Sequence, residues 1–154
     1  HCSLGFQFID GKIKVFTEFF KRNSDTPKAV SSWDKSGLTG SIVIPDSTGR
    51  NRKTSGQSDF DIIKKAGYQI RSSHNPFVND RVNNVNRCLK EGLIEIDPSC
   101  KKLINDLEKV SWKDNKLDQK TDPMLTHISD ALGYACHNLL PQVKLDLKPR
   151  TGIR

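Results

Sequence analysis

The chain has 154 residues, of which 34% are hydrophobic, and its 25 lysines and arginines outnumber its 18 aspartates and glutamates. This length predicts one domain with its own core, and no run of residues approaches the ~20 apolar residues of a membrane-spanning helix. The net charge of +7 favours a nucleic acid or another polyanion as a partner. Cys2, Cys88, Cys100 and Cys136 have no zinc-ligand spacing, so we expect free thiols in a reducing cytoplasm.

Strand and helix signals alternate along the chain after an initial hairpin. Alternating apolar residues on both sides of Asp10-Gly11 predict that hairpin, and apolar residues at helical spacing predict the helices. The expected elements in chain order are strands over 2–9 and 12–20, a short helix around Pro27–Lys35, a strand over 41–46, a helix capped by Ser58 and ended by Gly67, a strand over 68–72, a helix over 79–91, a strand over 93–96, a helix opened by Ser99 and a helix over 127–140. This order predicts an α/β fold, a mixed sheet flanked by helices, which is the general shape of ribonuclease-H-like nucleases. We expect one domain over 1–140 and a basic tail over 141–154.

A carboxylate lies at the end of the third predicted strand, and a basic loop over 47–57 follows it directly. Asp46 ends the strand, and Arg50, Arg52 and Lys53 lie in the loop. A buried strand that carries an acid to the sheet edge is a common way to build a site in an α/β sheet. An acid that binds a divalent cation, beside cations that bind phosphates, is the minimum equipment of a metal-dependent nuclease. The alternative is a structural turn, because Pro-Asp-Ser-Thr-Gly is also favourable turn chemistry.

A second acid, Asp130, lies in the first turn of the last predicted helix. Two carboxylates from distant parts of a chain can bind hard cations such as Mg²⁺, although a two-metal site usually needs more than two acids. On a helical wheel, Asp130 lies roughly opposite the apolar stripe, together with His127, Tyr134 and His137. A solvated acid that is favoured by the helix macrodipole is therefore the alternative.

Three further residues are weaker candidates. Glu18 is a candidate third acid, but a strand glutamate is more often an edge charge or a salt-bridge partner. His127 could orient a carboxylate or a phosphate, and a capping or packing role is equally reasonable. Arg81 lies on a helix side rich in hydrogen-bond donors, most of which we interpret as a solvated face. The sequence contains no P-loop, no glycine-rich dinucleotide motif and no Ser-His-Asp arrangement.

Several stretches, taken in order, resemble the C-terminal nuclease domain of phage terminase large subunits. They are Ile44-Pro45-Asp46-Ser47-Thr48-Gly49-Arg50 with Arg52-Lys53-Thr54-Ser55, then Asn79-Asp80-Arg81-Val82-Asn83-Asn84-Val85-Asn86, then His127-Ile128-Ser129-Asp130-Ala131-Leu132-Gly133-Tyr134. The likeness spans roughly residues 4–140. It implies a ribonuclease-H-like fold that cuts double-stranded DNA during packaging, with Mg²⁺ or Mn²⁺, in the cytoplasm of the host cell.

The resemblance also implies roles for individual residues and for partners. Asp46 and Asp130 would be catalytic metal ligands, and the loop 47–57 and Arg81 would lie near the DNA backbone. The terminase small subunit and the portal protein would be partners of the full-length protein.

The chain departs from that family in two ways. In the family, an acid lies on a first strand just before the segment that matches residues 1–9, and a packaging ATPase half carries a P-loop. Neither has a counterpart in this sequence, which begins His1-Cys2, so we expect a truncated nuclease domain without its first metal ligand. The alternatives are a catalytically incomplete module of the same fold that binds DNA or protein, and another ribonuclease-H-like nuclease such as a junction resolvase.

Overall fold

The computed structural model describes residues 1–52, 56–110, 112–113, 116–117 and 125–141. Its strands are β1 (Cys2–Ile9), β2 (Lys12–Phe20), β3 (Ile42–Val43), β4 (Gln69–Ile70), β5 (Ile94–Ile96), β6 (Trp112–Lys113) and β7 (Lys116–Leu117). Its helices are α1 (Thr26–Lys35), α2 (Asp59–Lys65), α3 (Val78–Lys90), α4 (Lys101–Lys109) and α5 (His127–Leu139), with a 3-10 helix over Ser47–Arg50. No helix in these ranges is long and apolar enough to cross a membrane. Beyond Pro141, the predicted basic tail over 141–154 lies outside the described residues.

The hairpin of β1 and β2 forms as the sequence predicts. The two strands pair antiparallel along their whole length, with a register shift just after Gly5. Asp10 and Gly11 have positive φ angles of 52° and 73°, which is the turn geometry that matches the twist of the flanking strands. Aspartate tolerates this left-handed region and glycine adopts it freely, so the turn sequence fixes the hairpin.

The described strands form three sheets. β2 is central in a mixed sheet, with β1 antiparallel on one edge and β5 parallel on the other. β3 and β4 form a separate parallel pair, and β6 and β7 form a short antiparallel pair. The five helices of the described residues flank the mixed sheet, so the predicted α/β class with a mixed sheet is confirmed.

β3 is shorter than the predicted strand over 41–46, since only its two residues pair with β4. Pro45 has no backbone N–H to donate to a neighbouring strand. Asp46 then caps the 3-10 helix, because its carboxylate accepts the Thr48 N–H at 2.8 Å. The strand therefore ends before the acid, and Asp46 lies on the turn that follows it.

The buried side chains form two separate clusters. The larger cluster packs the mixed sheet against the helices, and its members are Ile13, Val15, Val85, Cys88, Ile94, Cys100, Leu103, Ile128, Leu132, Ala135 and Cys136. The smaller cluster lies around α1, α2 and β4, and its members are Ala29, Val30, Trp33, Ile63 and Tyr68. All four cysteines are unpaired, as the sequence predicts.

Glu18 of β2 stabilises the start of α4. Its two carboxylate oxygens accept hydrogen bonds from the backbone N–H groups of Lys102 and Leu103, each at 2.9 Å. The predicted helix start at Ser99 is wrong, because Cys100 is the N-cap residue and its side chain makes no capping bond. The cap comes from β2 instead, since a carboxylate accepts the free N–H groups and favours the positive end of the helix dipole.

Glu18→Gln is expected to lower the free energy of unfolding by about 1 kcal/mol, the usual contribution of a helix cap. The glutamine side chain keeps its length but loses the charge and one of the two acceptors. Urea unfolding measures the change, with Glu95→Gln as the control. Glu95 makes only exposed ion pairs with Lys12 and Lys14, so its variant should lose less. Equal stability of Glu18→Gln and wild type would contradict the capping role.

Candidate metal centre

Asp46 lies on the turn after β3 with both carboxylate oxygens bonded. Its Oδ1 accepts hydrogen bonds from the backbone N–H and the hydroxyl of Thr48 and from Asn75 Nδ2, all at 2.8 Å. Its Oδ2 accepts the hydroxyl of Tyr134, in α5, at 3.1 Å. Asp46 is therefore both a turn residue and part of a polar cluster, since the turn bonds use one oxygen and α5 reaches the other.

The surroundings of Asp46 favour its charged form. Burial raises the pKa of the Asp46 carboxyl, and the hydrogen bonds from Asn75, Thr48 and Tyr134 lower it. The combined effect of the hydrogen bonds is larger, so the pKa lies below its ordinary value. The carboxylate is consequently ionised at neutral pH. An ionised carboxylate whose orientation is fixed by several donors is well suited to bind a cation.

Asp130, in the first turn of α5, forms an ion pair with Arg81 of α3. The distance from Arg81 Nη2 to Asp130 Oδ1 is 2.6 Å, and the two side chains are 9% and 28% exposed. The alternative of a solvated Asp130 does not hold, because α3 packs against this side of α5 and Arg81 pairs with the carboxylate. Burial raises the pKa of the Asp130 carboxyl above its ordinary value, and the Arg81 charge opposes that rise.

Tyr134 and Arg81 connect the two acids. Arg81 Nη1 donates to the Tyr134 hydroxyl at 3.1 Å, and that hydroxyl donates in turn to Asp46 Oδ2. Burial raises the pKa of Tyr134 to about 12, with the Arg81 charge opposing and the Asp46 charge adding to the rise. The phenol therefore stays protonated at neutral pH and remains a donor to Asp46. A continuous chain of polar contacts runs from Asp46 through Tyr134 and Arg81 to Asp130.

Gly133 permits the close contact between α3 and α5 on which this chain depends. A Cβ atom at this position would overlap the Cγ and Cδ atoms of Arg81. The Arg81 stem therefore lies directly over the α5 backbone, and only glycine leaves room for it there.

Tyr134→Phe is expected to raise the pKa of the Asp46 carboxyl, because it removes one donor and leaves the other donors in place. The variant should also lose about 1 kcal/mol of unfolding free energy, the usual net contribution of one hydrogen bond. Carboxyl ¹³C NMR titration measures the pKa, and Tyr68→Phe is the matched control. The Tyr68 hydroxyl donates to Asp34 instead, at 2.6 Å. An unchanged Asp46 titration in Tyr134→Phe would contradict the contact.

A buried carboxylate holds the start of α5 in place. Asp106 of α4 is 4% exposed, and its Oδ2 accepts hydrogen bonds from the Thr126 N–H at 3.0 Å and from the Ser129 N–H and hydroxyl at 3.3 Å. Thr126 has a φ angle of 83°, a left-handed conformation that is rare for a β-branched residue. The Asp106 bonds therefore fix the start of α5, and one of their partners, Ser129, directly precedes the ion-paired Asp130.

Arg50 and Arg52, two of the three predicted basic residues of the loop, are exposed. The Arg50 guanidinium lies 5.7 Å from the centroid of the Phe60 ring, and Arg52 is also exposed to solvent. Lys53 lies outside the described residues. His127 is exposed at the first position of α5 and borders the same cavity as both acids.

The side chains of two other predicted residues, Arg81 and Glu18, already make hydrogen bonds within the domain. Arg81, predicted near the DNA backbone, is 7% exposed and bonded on two sides. Glu18, a predicted supporting acid, has both oxygens bonded to α4. A contact of Arg81 with phosphate and a supporting role of Glu18 stay predictions.

Asp46 and Asp130 border one cavity of about 750 Å³, with His127 and Tyr134. Carboxylate and hydroxyl oxygens are the donors that Mg²⁺ and Mn²⁺ prefer, so the donor set fits a hard cation. Among the described residues, no three His, Cys, Asp or Glu side chains are grouped so that they could share a metal ion. The described side chains thus offer a pair of acids, fewer than a two-metal site uses.

Sequence reasoning missed the residues that orient the two acids. Tyr134 follows Asp130 by four positions, a spacing that puts both on one helix face, and that signal was available. Asn75 and Asp106 reach their partners from other elements, so no local pattern indicates them.

The domain is a mixed α/β fold in which an acid that follows a strand and an acid in the first turn of a helix border one cavity. The chain belongs to the terminase RNaseH-like domain family, whose model matches residues 38–139. That stretch contains Asp46, Arg81, Asp130 and Tyr134. No curated protein matches the chain.

A solved structure shares the fold. The chain is similar to the nuclease domain of the P22 large terminase, with a TM-score of 0.58 and 18% sequence identity. The match covers 80% of this chain and 66% of the P22 chain, so this chain spans slightly less than two thirds of that domain. The expected resemblance to phage terminase nuclease domains is confirmed.

Proposed function

We propose that this domain is a metal-dependent nuclease that hydrolyses phosphodiester bonds of double-stranded DNA, as part of a phage packaging terminase. The observation that carries the proposal is the polar chain from Asp46 to Asp130, which brings two acids from distant sequence positions to one cavity. Family membership supports the reaction class, since the matched segment, residues 38–139, includes Asp46, Arg81, Asp130 and Tyr134.

In this proposal, Asp46 and Asp130 hold Mg²⁺ or Mn²⁺. A bound divalent cation supplies an activated water and neutralises the charge that develops on the phosphate oxygens. Asp46 is ready for this role because its net pKa is lowered. Asp130 forms an ion pair with Arg81, and the positive charge of Arg81 compensates the Asp130 carboxylate in its partly buried position. In this proposal, the Asp130 carboxylate would contact both Arg81 and the metal cation.

We further propose that the exposed Arg50 and Arg52, together with Lys53, neutralise DNA phosphates beside the cavity. The net charge of +7 supports a polyanionic partner. Binding that depends on such contacts weakens steeply as the salt concentration rises. Arg81 would reach phosphate only by giving up part of its bonding to Asp130.

The biological setting proposed here follows from the family. The full-length protein would act with the terminase small subunit and the portal protein in the cytoplasm of the bacterial host cell. Residues 1–140 would form the nuclease domain, and the basic tail over 141–154 would add to the positive charge near DNA.

Nicking of supercoiled plasmid DNA tests the proposal. The chain should convert supercoiled to open-circular plasmid in Mn²⁺ and not in chelator, and the rate should fall as salt rises. Conversion that continues undiminished in chelator would contradict a metal-dependent mechanism.

The second candidate function is a catalytically incomplete module of the same fold that binds DNA or protein. It is favoured by one observation: among the described residues no third metal-binding side chain joins the acid pair. This function predicts salt-sensitive DNA binding that persists in chelator, without cleavage in either metal. Binding and nicking assays on the same preparation separate the two candidates.

A further inference from the structure

Phe77, the residue just before α3, exposes its aromatic ring to solvent. Its exposed fraction is 83%, the highest of the large apolar side chains in the described part of the chain, and the next residue, Val78, is 43% exposed. Phe77 is also the N-cap residue of α3, where it makes no side-chain capping bond. Serine, threonine, aspartate or asparagine would cap the helix and leave no apolar ring in water. Phenylalanine here stabilises neither the helix nor the core, which is typical of a residue that contacts a partner.

The residues on both sides of Phe77 contact the candidate metal centre. Before it, Asn75 Nδ2 donates a hydrogen bond to Asp46 Oδ1 at 2.8 Å. After it, the Phe77 carbonyl accepts the backbone N–H of Arg81 at 2.9 Å, and the Arg81 side chain pairs with Asp130. Phe77 therefore lies between the two residues through which this segment reaches both acids.

These contacts limit the distance between Phe77 and Asp46. Two residues of chain span at most about 7 Å. With the length of the Asn75 side chain and its 2.8 Å bond to Asp46, the Phe77 backbone lies within roughly 15 Å of the carboxylate. Successive base pairs of a DNA duplex are ~3.4 Å apart along its axis. A duplex with a phosphate at Asp46 would therefore place bases about four steps or fewer from that phosphate within reach of the Phe77 ring.

The segment that carries Phe77 is restrained by its own sequence and by α5. Pro76 is buried, and its ring fixes its own φ angle and restricts Asn75 to extended conformations. The ring of His74 packs against the ring of His137 in α5, with the centroids 5.4 Å apart. An aromatic side chain on a restrained backbone loses little further conformational entropy when a partner binds it.

The charges around Phe77 indicate what kind of partner its ring contacts. The net charge of +7 and the exposed Arg50 and Arg52 favour a polyanion on this side of the domain. Asp80, in the first turn of α3, is exposed and repels phosphate, so this end of α3 offers DNA an aromatic ring and not a positive charge. Aromatic rings stack on any nucleobase, and phenylalanine wedges separate base steps in several DNA-binding proteins. A base, rather than the phosphate backbone, is therefore the part of DNA that suits Phe77.

We propose that Phe77 stacks on a base of the bound DNA at a base step that its ring opens, within about four steps of the phosphate at the metal centre. This inference rests on the proposed function for the position of the DNA, and it makes Phe77 a residue that positions the substrate. Opening a base step has a free-energy cost, which is smaller where the bases are mismatched. The domain should therefore prefer DNA whose bases are already unstacked at this position.

Equilibrium binding to two short duplexes tests the inference, in chelator so that no DNA is cut. One duplex is fully paired, and the other carries two adjacent mismatches at its centre. The wild-type chain should bind the mismatched duplex more tightly. Phe77→Ala should bind both duplexes at least ~5-fold more weakly than wild type, the lower end of the loss for a stacked aromatic residue, and should lose the preference for the mismatch. Phe77→Trp should retain affinity and preference, because indole also stacks on bases.

Phe16→Ala is the matched control. Phe16 is also an exposed phenylalanine, at 42%, but it lies in β2 and does not border the cavity, so its variant should bind both duplexes like wild type. Urea unfolding should show Phe77→Ala to be as stable as wild type, because the ring is exposed. Salt weakens phosphate contacts and not stacking, so the ratio of Kd between Phe77→Ala and wild type should persist from about 50 to about 200 mM salt.

Equal affinity of Phe77→Ala and wild type for both duplexes would overturn the inference and leave a protein surface as the partner of the ring. A wild-type chain that binds neither duplex or shows no mismatch preference, an equal loss in Phe16→Ala, or a loss confined to low salt would also overturn it. Nicking by wild type together with unchanged binding by Phe77→Ala would reject this inference alone. The expected binding pattern without nicking in Mn²⁺ would reject the nuclease proposal alone.

Discussion

Asp46→Asn is expected to lower Mn²⁺-dependent nicking by about 100-fold or more, the scale of losing several kcal/mol of charge stabilisation from a metal centre. Asparagine keeps the shape of the side chain and its acceptor oxygen, so the bonds from Thr48 to Oδ1 can remain. It removes the charge that would hold the cation. The initial rate of open-circle formation at saturating Mn²⁺ measures the effect.

Asp97→Asn is the matched control for this substitution. Asp97 makes the same kind of turn, with its Oδ1 accepting the Ser99 N–H at 2.8 Å, and hydrogen bonds from Ser99 lower the pKa of its carboxyl. It does not border the cavity that holds Asp46. Asp97→Asn should therefore nick at the wild-type rate. Equal nicking by wild type and Asp46→Asn would remove Asp46 from the metal centre.

Arg81→Met is expected to lower the free energy of unfolding by about 2–4 kcal/mol. The methionine fills much of the same space but removes the guanidinium that pairs with Asp130. An unpaired charge in a partly buried position is strongly destabilising. The side-chain exposures of 9% for Arg81 and 28% for Asp130 place the effect somewhat below that of a fully buried pair. Urea unfolding at neutral pH measures the loss.

The double variant Arg81→Met with Asp130→Asn provides the control. Removing both charges leaves no unpaired ion, so stability should recover by at least about 1 kcal/mol relative to Arg81→Met alone. The two substitutions involve side chains in direct contact, at 2.6 Å, so their effects should not add. Strict additivity would contradict the ion pair.

The loss in Arg81→Met should also shrink as the pH falls. Burial already raises the pKa of Asp130 in the folded state, so its charge destabilises the fold above that pKa, and protonation relieves this as the pH falls through it. Removing the Arg81 charge raises the pKa of Asp130 further. The stability difference between variant and wild type should therefore be larger at pH 7 than at pH 4. A difference that grows on acidification would contradict this account.

The elements that sequence alone predicts are those whose signals are local. The Asp10-Gly11 turn fixes its hairpin through the φ angles of two adjacent residues. Ser58 and Asp61 form a reciprocal capping box at the start of α2, which is likewise written within four consecutive residues. Asp46 was found because a strand end and a turn residue are adjacent in sequence.

The features that sequence did not predict depend on contacts between distant elements. Glu18 caps a helix more than eighty positions away, and no pattern around β2 indicates that partner. The ion pair between Arg81 and Asp130 exists because α3 lies across α5, and its closeness requires Gly133. The partial burial of Asp130 arises in the same way, since a helical wheel describes one helix and not its neighbour.

Calorimetric titration of Mn²⁺ into the wild-type chain and three variants tests the central claim most directly, because it needs no turnover. If Asp46 and Asp130 form the metal centre, Asp46→Asn and Asp130→Asn should each bind Mn²⁺ at least ~10-fold more weakly than wild type, the scale of losing about 1.4 kcal/mol of binding free energy. Asp97→Asn should bind like wild type. Wild-type affinity in both Asp46→Asn and Asp130→Asn would contradict the account.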